Sequence, residues 1–369
     1  MFFEEFAEGI GEICSHTLAG PGRPLTWTVI ANPTAGGFTI KSRWNRHRGI
    51  LKTYAARAAE NPRREDAGPS RTAREAGGGF LGNRGVLLTR GPGHAGDIVK
   101  ALIDEAADRA SGAAGLFLII TAGGDGTSLE AMTALYGAPS ALRANFAVLR
   151  LPMGTGTDGA DAWELEGALD LLVSPVTLTW QRALALRTAT PGKGPFSAFN
   201  ILSVGLDAFV THMTNKMKGK FPGDSYKLWV DIASLLYDRL YKVGPLEIEA
   251  YDESGKLVKT LEETALLLAM GVSGRRTYGS HKRILPDDRN VCLVRQMPLL
   301  RKLALKGLFT TGKHIDKPES ILFSASKITF RGRESILAQM DGEAVLLRAA
   351  DFPASIELTE PAIPVLKRL

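Results

Sequence analysis

A glycine-rich turn with one carboxylate, Gly123-Gly124-Asp125-Gly126-Thr127, directly follows an apolar run in this chain. The run Gly115–Ala122 predicts a buried strand, and Ser128–Tyr136 predicts a helix. A strand that leads through glycines into a helix presents backbone N–H groups to an anion, and the helix dipole adds to the attraction. We therefore expect phosphate, with Asp125 available to hold a metal, orient a donor or take a proton. Alone, the turn is equally compatible with a plain strand-to-helix connection.

Three more predicted strands end in small-residue turns that precede helical stretches. These strand and turn pairs are Leu25–Ala31 with Asn32–Gly37, Gly85–Thr89 with Arg90–Ala95, and Phe146–Leu151 with Pro152–Asp158. Ligands of open α/β sheets bind beyond the carboxyl ends of the strands, where all four turns would meet. The alternation of strand and helix over residues 25 to about 165 predicts a parallel sheet covered on both faces.

Together with motifs further along the chain, these turns resemble the diacylglycerol kinase and sphingosine kinase family, which is related to NAD kinase and phosphofructokinase. Six pieces match in family order: Asn32-Pro33 with Gly36-Gly37, Thr89 with His94-Ala95, Gly123 to Thr127 with Glu130, Pro152 to Gly156, Asn200 with Gly205-Leu206-Asp207-Ala208, and Asp341-Gly342-Glu343. One such motif is weak, but six in order are specific.

The resemblance implies an α/β N-terminal domain with an NAD kinase-like parallel sheet, followed by a β-rich C-terminal sandwich domain. We expect an N-terminal extension over residues 1–24, the nucleotide-binding domain over 25–170 and the β-rich substrate domain over 171–369. The strand-like segments after Pro175, with few helices among them, independently indicate an antiparallel sandwich. The active site is expected in the cleft between the domains, with the turn at 341–343 reaching back to it.

The activity implied by the resemblance is transfer of the γ-phosphate of ATP, with Mg²⁺, to a primary hydroxyl of diacylglycerol, a sphingoid base or a related lipid. Because the transition state is loose, such a protein mainly positions groups and neutralises charge. The nucleotide contacts implied are Asn32, Thr89, Gly123, Gly124, Asp125, Gly126, Thr127, Glu130, Gly154, Thr155 and Gly156. Asp158 and Asp207 are implied as substrate or supporting residues.

Three carboxylates remain candidates for the catalytic group: Asp125, Asp341 and Glu343. Family members differ over whether the glycine-rich turn or the later acidic turn supplies the base, although Asp-Gly is also an ordinary hairpin dipeptide. Asp125 is the candidate metal ligand. Asp288 is a weaker one, because the stretch Tyr278–Asn290 departs from the family's metal-supporting sequence.

Two other functions stay open. NAD kinase shares the glycine-rich turn, but Asn32-Pro33 and Asp341-Gly342-Glu343 fit lipid kinases better. A non-catalytic nucleotide- or lipid-binding regulator is the other alternative, motivated by Thr157, which stands where the family commonly has Asn, and by the altered stretch 286–290.

Composition favours anionic partners and a reducing compartment. The net charge is +6 and the pI about 9.2, which suits nucleotides and anionic headgroups. No zinc spacing or stacking surface indicates nucleic acid. Cys14 and Cys292 are too few for a disulfide framework.

The sequence shows neither a signal peptide nor an apolar run long enough to span a membrane. We therefore expect a cytoplasmic protein that is soluble or peripheral at the membrane surface. A homodimer is left open.

The N-terminal stretch places Phe2, Phe3, Phe6, Ile10 and Ile13 within about one helical face. Its polar face is acidic, which an anionic membrane would repel. We therefore expect a helix packed on the protein's own surface.

Overall fold

The computed structural model describes residues 2–70, 85–109, 115–154, 157–217, 237, 244–279 and 282–369. Its compact units are Met1–Gln181 with Pro361–Leu369, called unit 1, and Arg182–Glu360, called unit 2. The described α-helices are α1 (Phe2–Ser15), α2 (Gly36–Thr39), α3 (Lys41–Ala58), α4 (His94–Arg109), α5 (Asp125–Tyr136), α6 (Ser140–Arg143), α7 (Leu165–Val173), α8 (Leu206–Met217) and α9 (Leu299–Thr311).

The described strands run in chain order from β1 to β20. They are β1 (Leu25–Ala31), β2 (Ala67–Pro69), β3 (Val86–Leu88), β4 (Leu116–Gly123), β5 (Phe146–Pro152), β6 (Val176–Gln181), β7 (Leu184–Arg187), β8 (Phe196–Ala198), β9 (Ile201–Gly205), β10 (Pro245–Tyr251), β11 (Leu257–Gly271), β12 (Arg276–Tyr278), β13 (Lys282–Leu285), β14 (Val291–Arg295), β15 (Ser320–Phe323), β16 (Lys327–Gly332), β17 (Ile336–Met340), β18 (Glu343–Leu347), β19 (Ala354–Leu358) and β20 (Ile363–Arg368).

Unit 1 is built on a mainly parallel sheet in the order β2-β1-β4-β5-β20-β6, with β3 also paired to β1. β4 and β5 are buried along their whole length, as expected for strands covered on both faces. The predicted strand Leu25–Ala31 is confirmed residue for residue. Helix α5 begins at Asp125, three residues before the predicted Ser128, so Asp125 lies in its first turn.

The strand β20 lies between β5 and β6, parallel to the former and antiparallel to the latter. The expected second domain, residues 171–369, includes β6 and β20, whereas these two strands pair in the sheet of unit 1. Ile363–Leu366 forms a buried apolar run that suits a central position. Pro364 interrupts the run and obscures it as a strand, because proline is rarely found inside a sheet.

Unit 2 contains an antiparallel sheet in the order β18-β17-β9-β11-β10-β16-β19-β7-β8, joined by β14 and β15. The expected β-rich region of antiparallel strands is confirmed. The strand-like stretch 176–189 contains two strands, β6 and β7, and the stretch 321–330 contains parts of β15 and β16. Side chains from distant strands share one core, including Leu186, Val204, Leu268, Phe330 and Ile356.

Helix α1 packs against other elements of unit 1, which agrees with the expectation of a helix on the protein's own surface. Phe6, Ile10 and Ile13 are buried, and the ring of Phe6 meets the ring of Phe38 edge-on at 5.1 Å between centroids. Among the described residues, none of the helices has the length and apolar character to cross a bilayer.

Candidate active site

Three of the four predicted turns are joined by direct hydrogen bonds in unit 1. Asn32 Nδ2, after β1, donates to Thr127 Oγ1 in the glycine-rich turn at 3.3 Å. The Gly37 N–H donates to the carbonyl of Met153, after β5, at 2.7 Å. A Cβ atom on Gly37 would lie 2.6 Å from that same oxygen, so only glycine fits this approach. The carboxyl ends of β1, β4 and β5 thus form one edge lined by small residues.

The glycine-rich turn is tightly closed on itself. A Cβ atom on Gly123 would lie 2.5 Å from Thr127 Oγ1, which explains a glycine at the end of β4. The Thr127 N–H donates to the Gly124 carbonyl at 3.1 Å, and the Thr127 side chain is buried. The first N–H groups of an α-helix have no acceptor within the helix, so the start of α5 can donate to an anion.

Asp125 connects this turn to the loop after β5. Its Oδ1 atom accepts a hydrogen bond from the Gly159 N–H at 3.0 Å, and its side chain is half-buried. Asp158, beside Gly159, is buried, and Gly154 is half-buried at the start of the loop. Thr155 and Gly156, both predicted to contact the nucleotide, lie outside the described residues.

A buried ion pair that sequence reasoning missed holds the same loop to β5. Arg150 Nη2 contacts Asp161 Oδ1 at 2.6 Å, and the Arg150 N–H donates to Asp161 Oδ2 at 2.7 Å. Both side chains are less than a tenth exposed. The sequence does contain one sign of this pair, a single arginine within the apolar run Phe146–Leu151. Because buried charges are almost always paired, an arginine in a buried strand predicts an acidic partner.

Glu130 and Thr89 lie at the same edge but already have backbone partners. The two carboxylate oxygens of Glu130 accept N–H groups of Gly93 at 2.8 Å and Ala95 at 3.2 Å, where α4 begins. A carboxylate is stabilised by the helix dipole at that position. The Thr89 N–H donates to the Ala31 carbonyl at 2.9 Å. In this structure, Glu130 therefore joins α5 to the start of α4.

The acidic turn between β17 and β18 lies in unit 2. The Asp341 carboxylate is buried and accepts N–H groups of three consecutive residues: Phe199, Asn200 at 3.1 Å and Ile201 at 2.9 Å. Its φ of 44° lies in the left-handed region, which non-glycine residues adopt at a cost in energy. The surrounding contacts must therefore hold this strained residue in place.

A buried glutamine fixes the next residue of the turn. Gln339 Oε1 accepts the Gly342 N–H at 3.2 Å, and Gln339 Nε2 donates to Ser203 Oγ at 2.9 Å and to Asp207 Oδ2 at 3.3 Å. Ser203 Oγ itself donates to Asp207 at 2.7 Å. The predicted supporting residue Asp207 thus acts on the turn through Gln339, which no motif had indicated.

Asn215 binds the carbonyl side of the same turn. Its Nδ2 atom donates to the Gly342 carbonyl at 2.8 Å. The main chain of Gly342 is therefore held at both its N–H and its carbonyl, while the Glu343 side chain that follows is exposed. Hydrogen bonds therefore fix the turn as far as Gly342, and the Glu343 side chain lies at the surface of unit 2.

The two candidate metal ligands have different surroundings. Asp288 is on the surface and pairs with Arg275 Nε at 2.7 Å. Within the described part of the chain, no three His, Cys, Asp or Glu side chains are grouped as a metal site. Protein-bound Mg²⁺ usually has only one or two carboxylate ligands together with substrate phosphates. Asp125, in the first turn of α5 beside the glycines, suits that coordination.

Comparison with known proteins confirms the family resemblance. Residues 26–187 match the family described as "Diacylglycerol kinase catalytic domain". The matched range contains all four strand-end turns.

Solved structures agree on the fold. The chain is similar to a structure described as "a putative diacylglycerol kinase from Bacillus anthracis str. Sterne", with 16% identity, 94% of this chain and 96% of that chain covered, and a TM-score of 0.56. A second structure from the same organism is described in the same words. It has 16% identity and a TM-score of 0.54, and the match covers 93% of this chain and 97% of that chain. At this identity the likeness shows the fold alone. No curated protein matches the chain.

Proposed function

We propose that the protein is an ATP-dependent lipid kinase that phosphorylates a primary hydroxyl of diacylglycerol, a sphingoid base or a related lipid. The observation that carries this proposal is the hydrogen-bonded junction of three strand-end turns around Asp125, within the residues that match the kinase family. Peripheral contact with a membrane follows from the proposal, because the acceptor is a lipid.

The nucleotide phosphates are proposed to bind the glycine-rich turn and the first N–H groups of α5. Asn32 and Thr127, which are bonded to each other, hold this turn against the end of β1. Asp125, whose Oδ1 atom accepts the Gly159 N–H, would hold Mg²⁺ at this turn. Bound Mg²⁺ would neutralise charge on the transferring phosphoryl group.

The two residues of the acidic turn are proposed to have separate roles. Asp341 already accepts three backbone N–H groups, so we assign it to positioning the turn rather than to taking a proton. Glu343 is exposed and follows a glycine whose main chain is hydrogen-bonded on both sides, and we propose that it accepts the proton of the lipid hydroxyl. The hydroxyl oxygen then forms the bond to the γ-phosphorus as the bond to ADP breaks.

A labelled-phosphate assay tests the proposal. The purified protein is incubated with γ-labelled ATP, Mg²⁺ and, separately, diacylglycerol, a sphingoid base, other lipid alcohols and NAD. Labelled lipid that is absent with Asp125→Asn supports the lipid kinase. Labelled NADP would show the NAD kinase alternative instead. Nucleotide or lipid binding without any labelled product would support the non-catalytic regulator.

A further inference from the structure

Helix α9 turns an apolar face outward. Leu299, Leu300 and Leu303 are 42%, 80% and 46% exposed. Ala304 and Gly307, on the same face, are also exposed. A surface helix normally directs its apolar stripe to the core and its charges to water.

The opposite face of α9 is the one that packs on unit 2. Leu305 is buried in a cluster with Ile284, Leu285 and Met297, and Lys302 on this inner side is only 6% exposed. The outward leucines are therefore additional to a separate, buried face of the helix. The helix has its core contacts and additionally presents three large apolar side chains within its first two turns.

Exposed cations lie beside this apolar face. Arg301 is paired with Glu319 at 2.6 Å and Lys302 is buried on the inner side, so neither adds to it. Lys306 and Lys313 are exposed at and beyond the C-terminal half of the helix. Arg283 of β13 is also exposed and close by, since a Cβ atom on Gly312 would lie 3.6 Å from Arg283 Cβ.

We propose that the outward face of α9 docks on an anionic lipid bilayer. Leucines that enter the acyl boundary gain from burial, and lysine or arginine side chains near an anionic surface add electrostatic attraction. The inference rests on the proposed function, which requires the protein to reach a lipid acceptor, and it names the surface that does so. The area is small and apolar with a cationic rim, which matches a negatively charged lipid surface.

Vesicle sedimentation of the full chain, without ATP or acceptor, tests this surface. The probe is extruded vesicles of equal parts phosphatidylglycerol and phosphatidylcholine, compared with pure phosphatidylcholine. The triple variant Leu299→Ser/Leu300→Ser/Leu303→Ser should lower the partition coefficient at least tenfold, about 1.4 kcal/mol. Wild-type binding should weaken at high salt and on pure phosphatidylcholine.

A control variant removes three other exposed apolar side chains of unit 2. Leu257→Ser/Val258→Ser/Leu346→Ser changes residues that are 49%, 45% and 37% exposed on strands, and it should bind vesicles like the wild type. The thermal midpoints of both triple variants should stay close to that of the wild type. Phosphorylation of a short-chain, water-dispersed acceptor should also be unchanged by the α9 variant, because that acceptor needs no bilayer.

Three results would overturn the docking surface: no vesicle binding by the wild type, equal binding by the α9 variant, or equal loss in the control. A wild-type dimer that the α9 variant dissociates, without a change in vesicle binding, would assign the face to a second copy of the chain. Leucine-dependent vesicle binding combined with no labelled lipid would instead keep the surface and refute the kinase proposal.

Discussion

The carboxylate of Asp341 accepts the Ile201 N–H at 2.9 Å. It also accepts the N–H groups of the two preceding residues, Phe199 and Asn200. Three donors on one buried side chain make it a structural anchor for the start of β9. The neighbouring Glu343 has an exposed side chain and follows a glycine that is held at both its N–H and its carbonyl. Asp341 and Glu343 therefore lie in different environments, and substitutions at the two positions should affect different properties.

Conservative variants of these two residues should separate stability from rate. Asp341→Asn puts an NH₂ group against backbone N–H donors, so we expect a loss of about 1–3 kcal/mol in the free energy of unfolding together with lower kcat. Glu343→Gln should change stability by less than about 0.5 kcal/mol and lower kcat at least tenfold. Urea titration and kcat measurements on both variants check this. Wild-type kcat in Glu343→Gln would remove Glu343 from the reaction.

Asp125→Asn should abolish turnover and leave the fold intact. The asparagine oxygen can still accept the Gly159 N–H, so the loop after β5 keeps its contact, while the charge needed for metal binding is lost. The measurement is kcat in the lipid assay, with circular dichroism as the control for folding. Retention of more than about a tenth of wild-type kcat, about 1.4 kcal/mol, would exclude Asp125 from the catalytic set.

Gly124→Val should raise the KM for ATP or eliminate ATP binding. Gly124 has φ −93° and ψ −176°, a backbone conformation that any residue adopts, so the added side chain should act by excluding phosphate rather than by straining the turn. Gly137→Ala, at the other end of α5, is the matched control. Titration calorimetry with ATP gives the affinity, and an unchanged affinity in Gly124→Val would move the phosphate site elsewhere.

Glu130→Gln should destabilise unit 1 by about 1 kcal/mol, because a neutral amide supplies one acceptor oxygen where two now bind the start of α4. If Glu130 acts only by joining the helices, the KM for ATP should change less than about twofold. Thermal unfolding and ATP titration of the same preparation distinguish the two. A large rise in KM without loss of stability would favour the nucleotide contact implied by the family resemblance.

The stability of unit 2 should depend on pH through Asp351. Burial alone would raise its pKa, but hydrogen bonds from Lys193, Thr190 and the Arg348 N–H outweigh burial and hold the pKa at about 2. A folded-state pKa below the unfolded value contributes stability above pH 4, and this contribution is lost as the pH falls towards 2. It corresponds to about 2 kcal/mol.

Comparison with Asp351→Asn isolates this contribution from those of other carboxylates. The difference in the free energy of unfolding between wild type and variant should be about 2 kcal/mol at neutral pH and should shrink as the pH falls from 4 to 2. Urea titrations across this range measure it. A difference that is independent of pH would mean that folding does not lower the pKa of Asp351.

The sequence predicted the strand-end turns well, because a buried strand, a glycine-rich turn and a helix are encoded by neighbouring residues. It did not reveal the partners that fix those turns. Asp161 is paired with Arg150 eleven positions away, and Gln339 is bonded to Ser203 across more than a hundred residues. Such contacts depend on which strands become neighbours, and local patterns do not contain that information. The strand β20 was also not evident from the local sequence, because Pro364 interrupts its apolar run.

The position of β20 also constrains how the protein is made. The strand that pairs with both β5 and β6 is encoded after every residue of unit 2, so during synthesis on a ribosome the first sheet has an unfilled place while residues 182–360 emerge. Domains generally fold in the order in which they are synthesised, but here unit 2 can fold before unit 1 is complete. The nascent chain would meanwhile expose the edges of β5 and β6 to other chains.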